Sequence, residues 1–273
     1  MRRELDTGTN DLLAHVEDNI ATLTMNRPER RNALSGAMLE ALSRMLAQCE
    51  TDAGIAVVLL TGAGGAFCAG GDVKGMAARE DGAAADDLDT RIHRQRLSQR
   101  TTAGRLYQMP KPTIAALPGA AAGAGLSLAL ACDLRVAAET AVMTTAFAKV
   151  GFSGDYGGTF FLTRLVGSAK ARELYYLSDR VTMPEAERLG LVNWVVPAEQ
   201  LMPRALDVAR RLAEGPRIAY RYMKENLNRA VAGEFGDCLD LEATHHVHTG
   251  LTEDHREAAR AFVEKRAPRF KGR

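Results

Sequence analysis

Residues 118–133, with the sequence PGAAAGAGLSLALACD, join a Pro-Gly turn to small residues and then to an apolar helical run. Small side chains at Gly123, Ala124 and Gly125 would let a ligand approach the backbone closely. The first N–H groups of a helix lack acceptors in that helix and carry the positive end of its dipole. The stretch therefore predicts either a backbone site for an oxygen bearing negative charge or a small-residue helix packed tightly against a strand.

A second glycine-rich turn, TGAGGAFCAGGDVKGM at residues 61–76, follows an apolar run that predicts a strand. It lacks both the GxGxxG pattern of dinucleotide-binding loops and the GK[ST] ending of phosphate-binding loops. Gly70 and Gly71 allow close backbone approach, and Asp72 is placed to cap a short helix that begins at Val73. A third glycine-rich loop, GFSGDYGG at residues 151–158, contains one carboxylate, Asp155.

Composition excludes several classes of protein. The chain has 273 residues, of which 46% are hydrophobic and 25% charged, as expected for a globular chain with a full core. The net charge of +1 gives no electrostatic reason to expect nucleic acid or a membrane as a partner. No apolar run approaches the ~18 residues of a spanning helix, and the first residues lack the apolar core of a signal peptide.

Cysteine and histidine spacing argues against a metal site. The four cysteines show no CxxC spacing, which argues against zinc and a disulfide framework and favours a reducing cytoplasm. His245, His246 and His248 crowd one predicted helix, but the sequence offers no further ligands beside them. We therefore expect no metal.

Periodicity predicts an α/β core followed by helices. An antiparallel hairpin is expected over residues 12–25, a helix capped by Ser35 over 36–49, and buried strands at 56–60 and 112–117. Residues 77–90 resemble a mobile lid or insertion, and the five arginines of residues 91–105 predict a solvated helix face. From residue 200 onward the pattern predicts four helices, at 200–214, 217–231, 236–248 and 253–265.

Four motifs, in order, resemble the enoyl-CoA hydratase/isomerase family, the crotonase superfamily. They are AFCAGGD (66–72), the P-G-x(3)-G-x-G stretch from Pro118, GGTxxLTRLVG (157–167) and AFVEKRAPRF (261–270), and the resemblance runs from about residue 12 to the end. It implies a spiral of β-β-α units over residues 1–199 and a C-terminal helical trimerisation region over 200–273. It also implies an acyl-CoA thioester substrate, no cofactor beyond that CoA, and a homotrimer or a hexamer formed as a dimer of trimers.

The resemblance implies roles for particular residues. A thioester enolate would be held by the backbone N–H groups of Gly71 and Ala124, which match the family's oxyanion positions. An oxyanion hole of this kind contributes ~3–4 kcal/mol per donor. The positions that match the family's CoA-binding segments are Arg31, Ala33, Leu34, Ala69, Phe262 and Lys265, the last two in this or a neighbouring subunit.

Two departures from the family pattern shape the expected reaction. Where hydratases of the family carry their two glutamates, this chain has Ser127 and Phe147, and neither side chain can serve as a general base. Asp155 matches the aspartate of dienoyl-CoA isomerases, 1,2-epoxyphenylacetyl-CoA isomerases and 4-chlorobenzoyl-CoA dehalogenase, and AFAKVGFSGDYGGT resembles the second of these most. The resemblance thus implies an isomerase in which Asp155 shuttles a proton.

The sequence leaves other roles for Asp155, and other functions for the protein, open. Asp155 as a nucleophile would give a dehalogenase, which the 5% aromatic content disfavours, and Asp155 holding water would give a hydratase. A catalytically silent acyl-CoA-binding or RNA-binding member is a further class, although Arg44 is the one basic residue of the first helix. Asp155 could also be a turn or capping residue. Phe147, Phe152 and Phe160 would favour its neutral form and the following helix its charged form, so the sequence leaves its ionisation open.

Overall fold

The apolar runs form the strands of two sheets in a computed structural model that describes residues 1–73, 75 and 87–273. The strands are β1 (Arg3–Leu5), β2 (Leu12–Glu17), β3 (Ile20–Met25), β4 (Val57–Gly62), β5 (Thr113–Leu117), β6 (Ala121–Ala122), β7 (Leu134–Ala138), β8 (Val142–Thr144), β9 (Val181–Thr182) and β10 (Trp194–Val196). A seven-stranded sheet has the order β1-β2-β3-β4-β5-β7-β10, and a smaller sheet has the order β6-β8-β9. In the larger sheet β1, β2 and β3 are antiparallel, and β3, β4, β5, β7 and β10 are parallel.

Helices connect and cover these strands. They are α1 (Gly36–Thr51), α2 (Leu88–Gln99), α3 (Arg105–Gln108), α4 (Ala124–Ala131), α5 (Gly158–Leu177), α6 (Met183–Arg188), α7 (Leu201–Ala213), α8 (Arg217–Ala232), α9 (Phe235–Gly250) and α10 (Glu253–Val263). A π-helical turn, Arg100–Gly104, joins α2 to α3. In the part of the chain that the structure describes, no helix is long and apolar enough to cross a membrane.

The larger sheet is buried on both faces because its side chains alternate between two apolar clusters. Val58 and Leu60 of β4 pack in a cluster with α1 and α4, whereas Val57 and Leu59 pack in a second cluster with α7. Helix α7 thus lies against the sheet, although it is the first of the four tail helices. The predicted boundary after residue 199 remains a prediction.

Helix α8 is anchored to the core by one buried cation. The Lys224 ammonium group donates to the Leu106 carbonyl at 3.0 Å and to Asp133 Oδ2 at 2.8 Å. Asp133 also accepts the N–H of Thr113 at the start of β5. A buried ammonium group is tolerated only when its N–H groups donate hydrogen bonds. Here those bonds connect α8, through Asp133, to the start of β5.

Most of the local predictions agree with the structure. The hairpin forms, and Ser35 caps α1 by accepting the N–H of Met38. Residues 3–5 pair as a strand with β2, because their backbone groups find partners along its edge. The predicted lid overlaps residues 77–86, which lie outside the described residues. Helix α5 runs from Gly158 to Leu177 through the non-helical Gly167, which has φ of 79°.

Candidate active site

A cavity of about 360 Å³ lies where the second and third glycine-rich loops meet the start of α4. Gly71, Ala124 and Asp155 all line it, so the structure brings together the three residues expected to carry the chemistry. Further lining comes from the loops on either side and from α2, including Ala69, Gly70, Phe147, Gln95 and Gln99.

Two glycines allow the loops to approach each other. A Cβ atom placed on Gly70 would lie 2.9 Å from the Ala122 carbonyl oxygen and 3.5 Å from the Ala124 nitrogen. One placed on Gly123 would lie 3.9 Å from Gly70 Cα. Gly70 and Gly123 also have φ values of 93° and 53°, which glycine adopts readily and other residues do not. The close approach of the two loops, and the backbone conformation beside the cavity, therefore depend on both glycines.

The amides of Gly71 and Ala124 are left available to a ligand. Ala124 is the first residue of α4, so its N–H has no acceptor in its own helix. The bridge between Leu34 and Gly71 uses the Leu34 N–H, which donates to the Gly70 carbonyl at 2.8 Å. Among the described residues neither amide donates a hydrogen bond. Two unpaired N–H groups on one cavity can hold an oxyanion.

Helix α4 is also packed tightly against the preceding turn. A Cβ atom on Gly125 would overlap Cys68, and the Ala122 N–H donates to the Cys68 carbonyl at 2.9 Å. All eight residues of α4 are buried. The tight packing predicted for residues 118–133 is therefore present, and it sets the position of the first amide of the helix.

Asp155 has an exceptional environment for a carboxylate. Its Oδ1 atom is buried and, in the described structure, has no hydrogen-bond partner. Burial raises the pKa of Asp155 to about 6, because desolvation disfavours the charged form. The sequence alone left the ionisation of Asp155 open. In the structure, desolvation has a larger effect on its pKa than the nearby N-terminus of α5.

The raised pKa predicts a pH-dependent stability. Asp155 titrates at an ordinary 3.8 in the unfolded chain and at about 6 in the folded one. Its contribution to stability is therefore fully present below the unfolded pKa and is lost as the pH rises through the folded pKa. An Asp155→Asn variant avoids this loss. Between pH 4 and pH 7 we expect its free energy of unfolding to increase by on the order of 2 kcal/mol relative to wild type.

Urea unfolding of both proteins at the two pH values measures this difference. A difference that stays constant with pH would show that Asp155 is solvated in the folded protein. Asp155→Ala serves as a second reference, because it removes the same titration without keeping the amide hydrogen-bonding capacity of asparagine.

The predicted CoA-binding residues divide into two groups. Arg31 and Ala33 line a second cavity of about 490 Å³, which shares Gly71 and Val73 with the first. Ala69 lines the first cavity, and Leu34 is buried beside Gly70. The two cavities thus adjoin, as a long thioester would require.

Phe262 and Lys265 are not part of this pair of cavities. Phe262, near the end of α10, is 86% exposed, and Lys265 follows that helix. Neither residue lines either cavity. Within one chain they do not join the site, and their contact with CoA remains a prediction that a neighbouring subunit would have to satisfy.

Ser127 and Phe147 stand where hydratases of the family carry their two glutamates, and neither side chain can act as a base here. The Ser127 hydroxyl is buried and donates to the Gly123 carbonyl at 3.3 Å. Phe147 lines the cavity and stacks on Tyr175, with ring centroids 5.9 Å apart. Asp155 is the one carboxylate among the described residues that line the first cavity.

Sequence reasoning missed Gln95 and Gln99. Both stand in the arginine-rich segment that was predicted to be a solvated helix face, and α2 indeed contains no buried residue. Their spacing of four places them on the same side of the helix, which was the available signal. Polar residues of a solvated face have the same spacing, so the pattern could not distinguish them.

Residues 15–273 match a family model described as enoyl-CoA hydratase/isomerase. The chain is 38% identical over 262 residues to 1,2-epoxyphenylacetyl-CoA isomerase of Escherichia coli K12, covering 96% of this chain and 98% of the relative. It is 32% identical over 260 residues to the short-chain-enoyl-CoA hydratase of Clostridium acetobutylicum, covering 94% and 96% of the two chains. A crystal structure of enoyl-CoA hydratase from Bacillus anthracis superposes with a TM-score of 0.88 at 35% identity, covering 96% of this chain and 100% of that one.

Proposed function

Because this chain belongs to the enoyl-CoA hydratase/isomerase family and has the crotonase fold, we propose that it is an enoyl-CoA isomerase in which Asp155 shuttles the proton. Its relatives are enzymes that include both isomerases and hydratases, so the family alone leaves the reaction open. The choice between them depends on the groups that line the cavity.

The proposed reaction has two proton transfers. The thioester carbonyl oxygen accepts hydrogen bonds from the N–H groups of Gly71 and Ala124, while the Asp155 carboxylate removes a proton from a carbon of the acyl chain. The electron pair of the broken C–H bond moves into an enolate whose negative charge is on that oxygen. Asp155, now protonated, returns the proton to a second carbon, which completes the shift of the double bond.

The observation that carries this proposal is the unpaired, buried Oδ1 atom of Asp155 beside two unpaired amides. An unpaired carboxylate oxygen keeps its full capacity to accept a proton. A pKa of about 6 leaves Asp155 mostly ionised at neutral pH and yet able to hold the proton during the shuttle. A residue that served only as a turn or helix cap would use its oxygens on backbone N–H groups.

A hydratase that holds water on Asp155 is the second candidate, supported by the hydratases among the relatives. Water addition needs one group to activate the water and another to protonate the acyl chain. Phe147 and the hydrogen-bonded hydroxyl of Ser127 supply neither group.

Activity against a panel of enoyl-CoA thioesters, followed for both double-bond position and water addition, tests the proposal. We expect isomerisation of at least one thioester. Hydration of a short trans-2-enoyl-CoA is expected to be at least ~10²-fold slower than with a two-glutamate hydratase assayed alongside, because one general acid–base group is missing. Comparable hydration would favour the second candidate. A chain that binds acyl-CoA but converts none of the panel, or binds RNA in a salt-varied filter assay, would be a silent member.

We propose that the substrate's CoA portion lies along Arg31, Ala33, Leu34 and Ala69. The Arg31 guanidinium group is suited to a phosphate, and the backbone of Ala33 and Leu34 would meet the adenine. The compartment we propose is the cytoplasm, consistent with the four free cysteines.

The tail predicts a further property, self-association into a trimer or a hexamer. Large apolar side chains are exposed along its last three helices and the turn between the final two, among them Leu227, Phe235, Val247, Leu251, Phe262 and Val263. Large exposed apolar side chains concentrated in one region of a chain are typical of interfaces. Native mass measurement is expected to give three or six copies of the 29.5 kDa chain, and a monomer at micromolar concentration would exclude this assembly.

A further inference from the structure

We infer that Gln99 is a positioning residue for Asp155, which it fixes by holding the backbone of the next residue, Tyr156. The inference rests on the proposed role of Asp155 as the proton shuttle. It assigns to α2 a function in catalysis that its solvated, arginine-rich sequence does not suggest.

The contact joins parts of the chain that are far apart in sequence. The Tyr156 N–H donates to Gln99 Oε1 at 2.8 Å, and the Tyr156 hydroxyl lies 3.1 Å from Ser98 Oγ. Two consecutive residues of α2 thus hold both the backbone and the side-chain end of Tyr156. Gln99 also lines the cavity, which places this contact at the site.

The Asp155 loop needs such a restraint from outside. Tyr156 has φ of 48°, a left-handed conformation that is unfavourable for a residue with a side chain. Gly154 and Gly157 on either side also have positive φ values, of 113° and 77°. Because Asp155 Oδ1 has no hydrogen-bond partner among the described residues, the backbone must determine where this atom lies.

The helix is interrupted next to Gln99. Its α-helical part ends there, and a π-helical turn follows over Arg100–Gly104. The Thr102 hydroxyl donates to the Ser98 carbonyl at 2.7 Å within this irregular segment. Isolated π turns alter the phase of a helix and often occur at functional sites. Here the irregular turn begins directly after the two residues that contact the Asp155 loop.

The surroundings of Asp155 allow a pH readout. The titratable groups that face it in the described structure are the Cys68 thiol and the Tyr156 and Tyr175 phenols, all neutral near pH 7. Burial alone accounts for the raised pKa of Asp155. A loop released from Gln99 would admit water, and the apparent pKa of kcat/KM would fall from about 6 toward 3.8.

Gln99→Met tests the inference, because methionine keeps the length of the side chain but lacks the carbonyl acceptor. We expect kcat to fall ~10–100-fold, as for a small misplacement of a catalytic group, with KM changed less than ~3-fold. The apparent pKa of kcat/KM is expected to fall at the same time. A side chain that only stabilised the fold would lower the melting temperature and leave this pKa in place.

Two further variants serve as controls. Gln99→Glu restores the acceptor, so kcat above the apparent pKa should return to within ~3-fold of wild type. Combining it with Asp155→Asn should abolish that activity, which excludes the introduced carboxylate acting as the base itself. Gln95→Met changes the same cavity one turn away. It should alter KM without moving the apparent pKa, because the Tyr156 N–H of the Asp155 loop is held by Gln99.

The outcomes separate this inference from the proposed function. If Asp155→Asn abolishes turnover but Gln99→Met keeps both kcat and the apparent pKa, the positioning role is wrong and the shuttle stands. If Asp155→Asn retains turnover, the shuttle itself is wrong. Should Gln99→Met fail to fold, the shorter Gln99→Ala variant replaces it, with the same expected loss of kcat and fall in pKa.

Discussion

Replacing Asp155 with asparagine is expected to lower isomerase turnover by ~10²–10⁴-fold, the range typical of a lost general acid–base group. Asparagine keeps the size of the side chain but cannot accept a proton from carbon. The two amides and the Arg31 cavity are formed by other residues, so affinity for the acyl-CoA should change little. Single-turnover assays on the thioester identified by the panel, combined with direct binding measurements, give both quantities. Loss of turnover with unchanged binding would place the effect in the transition state.

Asp155→Ala is the companion variant, because an asparagine at this position could hydrolyse back to aspartate and restore activity. Intact-mass measurement of the asparagine variant checks for that reversion. Were Asp155 only a turn or capping residue, asparagine would cost ~1 kcal/mol of stability or less and turnover would survive. Wild-type turnover in both variants would reject the mechanism.

The second large effect is expected at Ala124, where Ala124→Pro removes one oxyanion donor. Loss of a single donor of this kind lowers kcat by ~10²–10³-fold. Ala124 is the first residue of α4, a position where proline is well tolerated because its N–H has no partner in the helix. The preceding Gly123 has φ of 53° and ψ of −127°, a conformation open to glycine and outside the α region that a following proline disfavours. We therefore expect a folded protein with an impaired site.

Ala124→Gly is the matched control, since it changes the same side chain and keeps the N–H. It should retain turnover within ~10-fold of wild type, with a stability loss of up to ~1 kcal/mol from the helix propensity of glycine. Circular dichroism and thermal unfolding check that both variants are folded. If Ala124→Pro folds and turns over like Ala124→Gly, the amide of residue 124 does not hold the enolate oxygen.

Local sequence determined the elements and the chemistry they could present. Apolar runs bounded by turn residues formed strands, as at β4, and Ser35 began α1 where its hydroxyl could cap the helix. These features depend on interactions between residues close in the chain, so a sequence pattern contains them. The same holds for the small residues before α4 and for the lone carboxylate in the loop at residues 151–158. Ordered motifs added the family, which the comparisons confirmed.

Tertiary structure alone decided how that chemistry is controlled. The pKa of Asp155 rises because segments distant in sequence exclude water from its Oδ1 atom, and no local pattern reports how completely they do so. The bond from Tyr156 to Gln99 spans 57 residues, so it too depends on the packing of α2 against the loop. Phe262 matched a motif and yet lines neither cavity in one chain, because the direction of α10 is set by the packing of the tail. The ionisation of Asp155, the position of its loop and the separation of Phe262 from the cavities depend on contacts between segments distant in sequence. Residue order, by contrast, determines the helices, the strands and the functional groups that they carry.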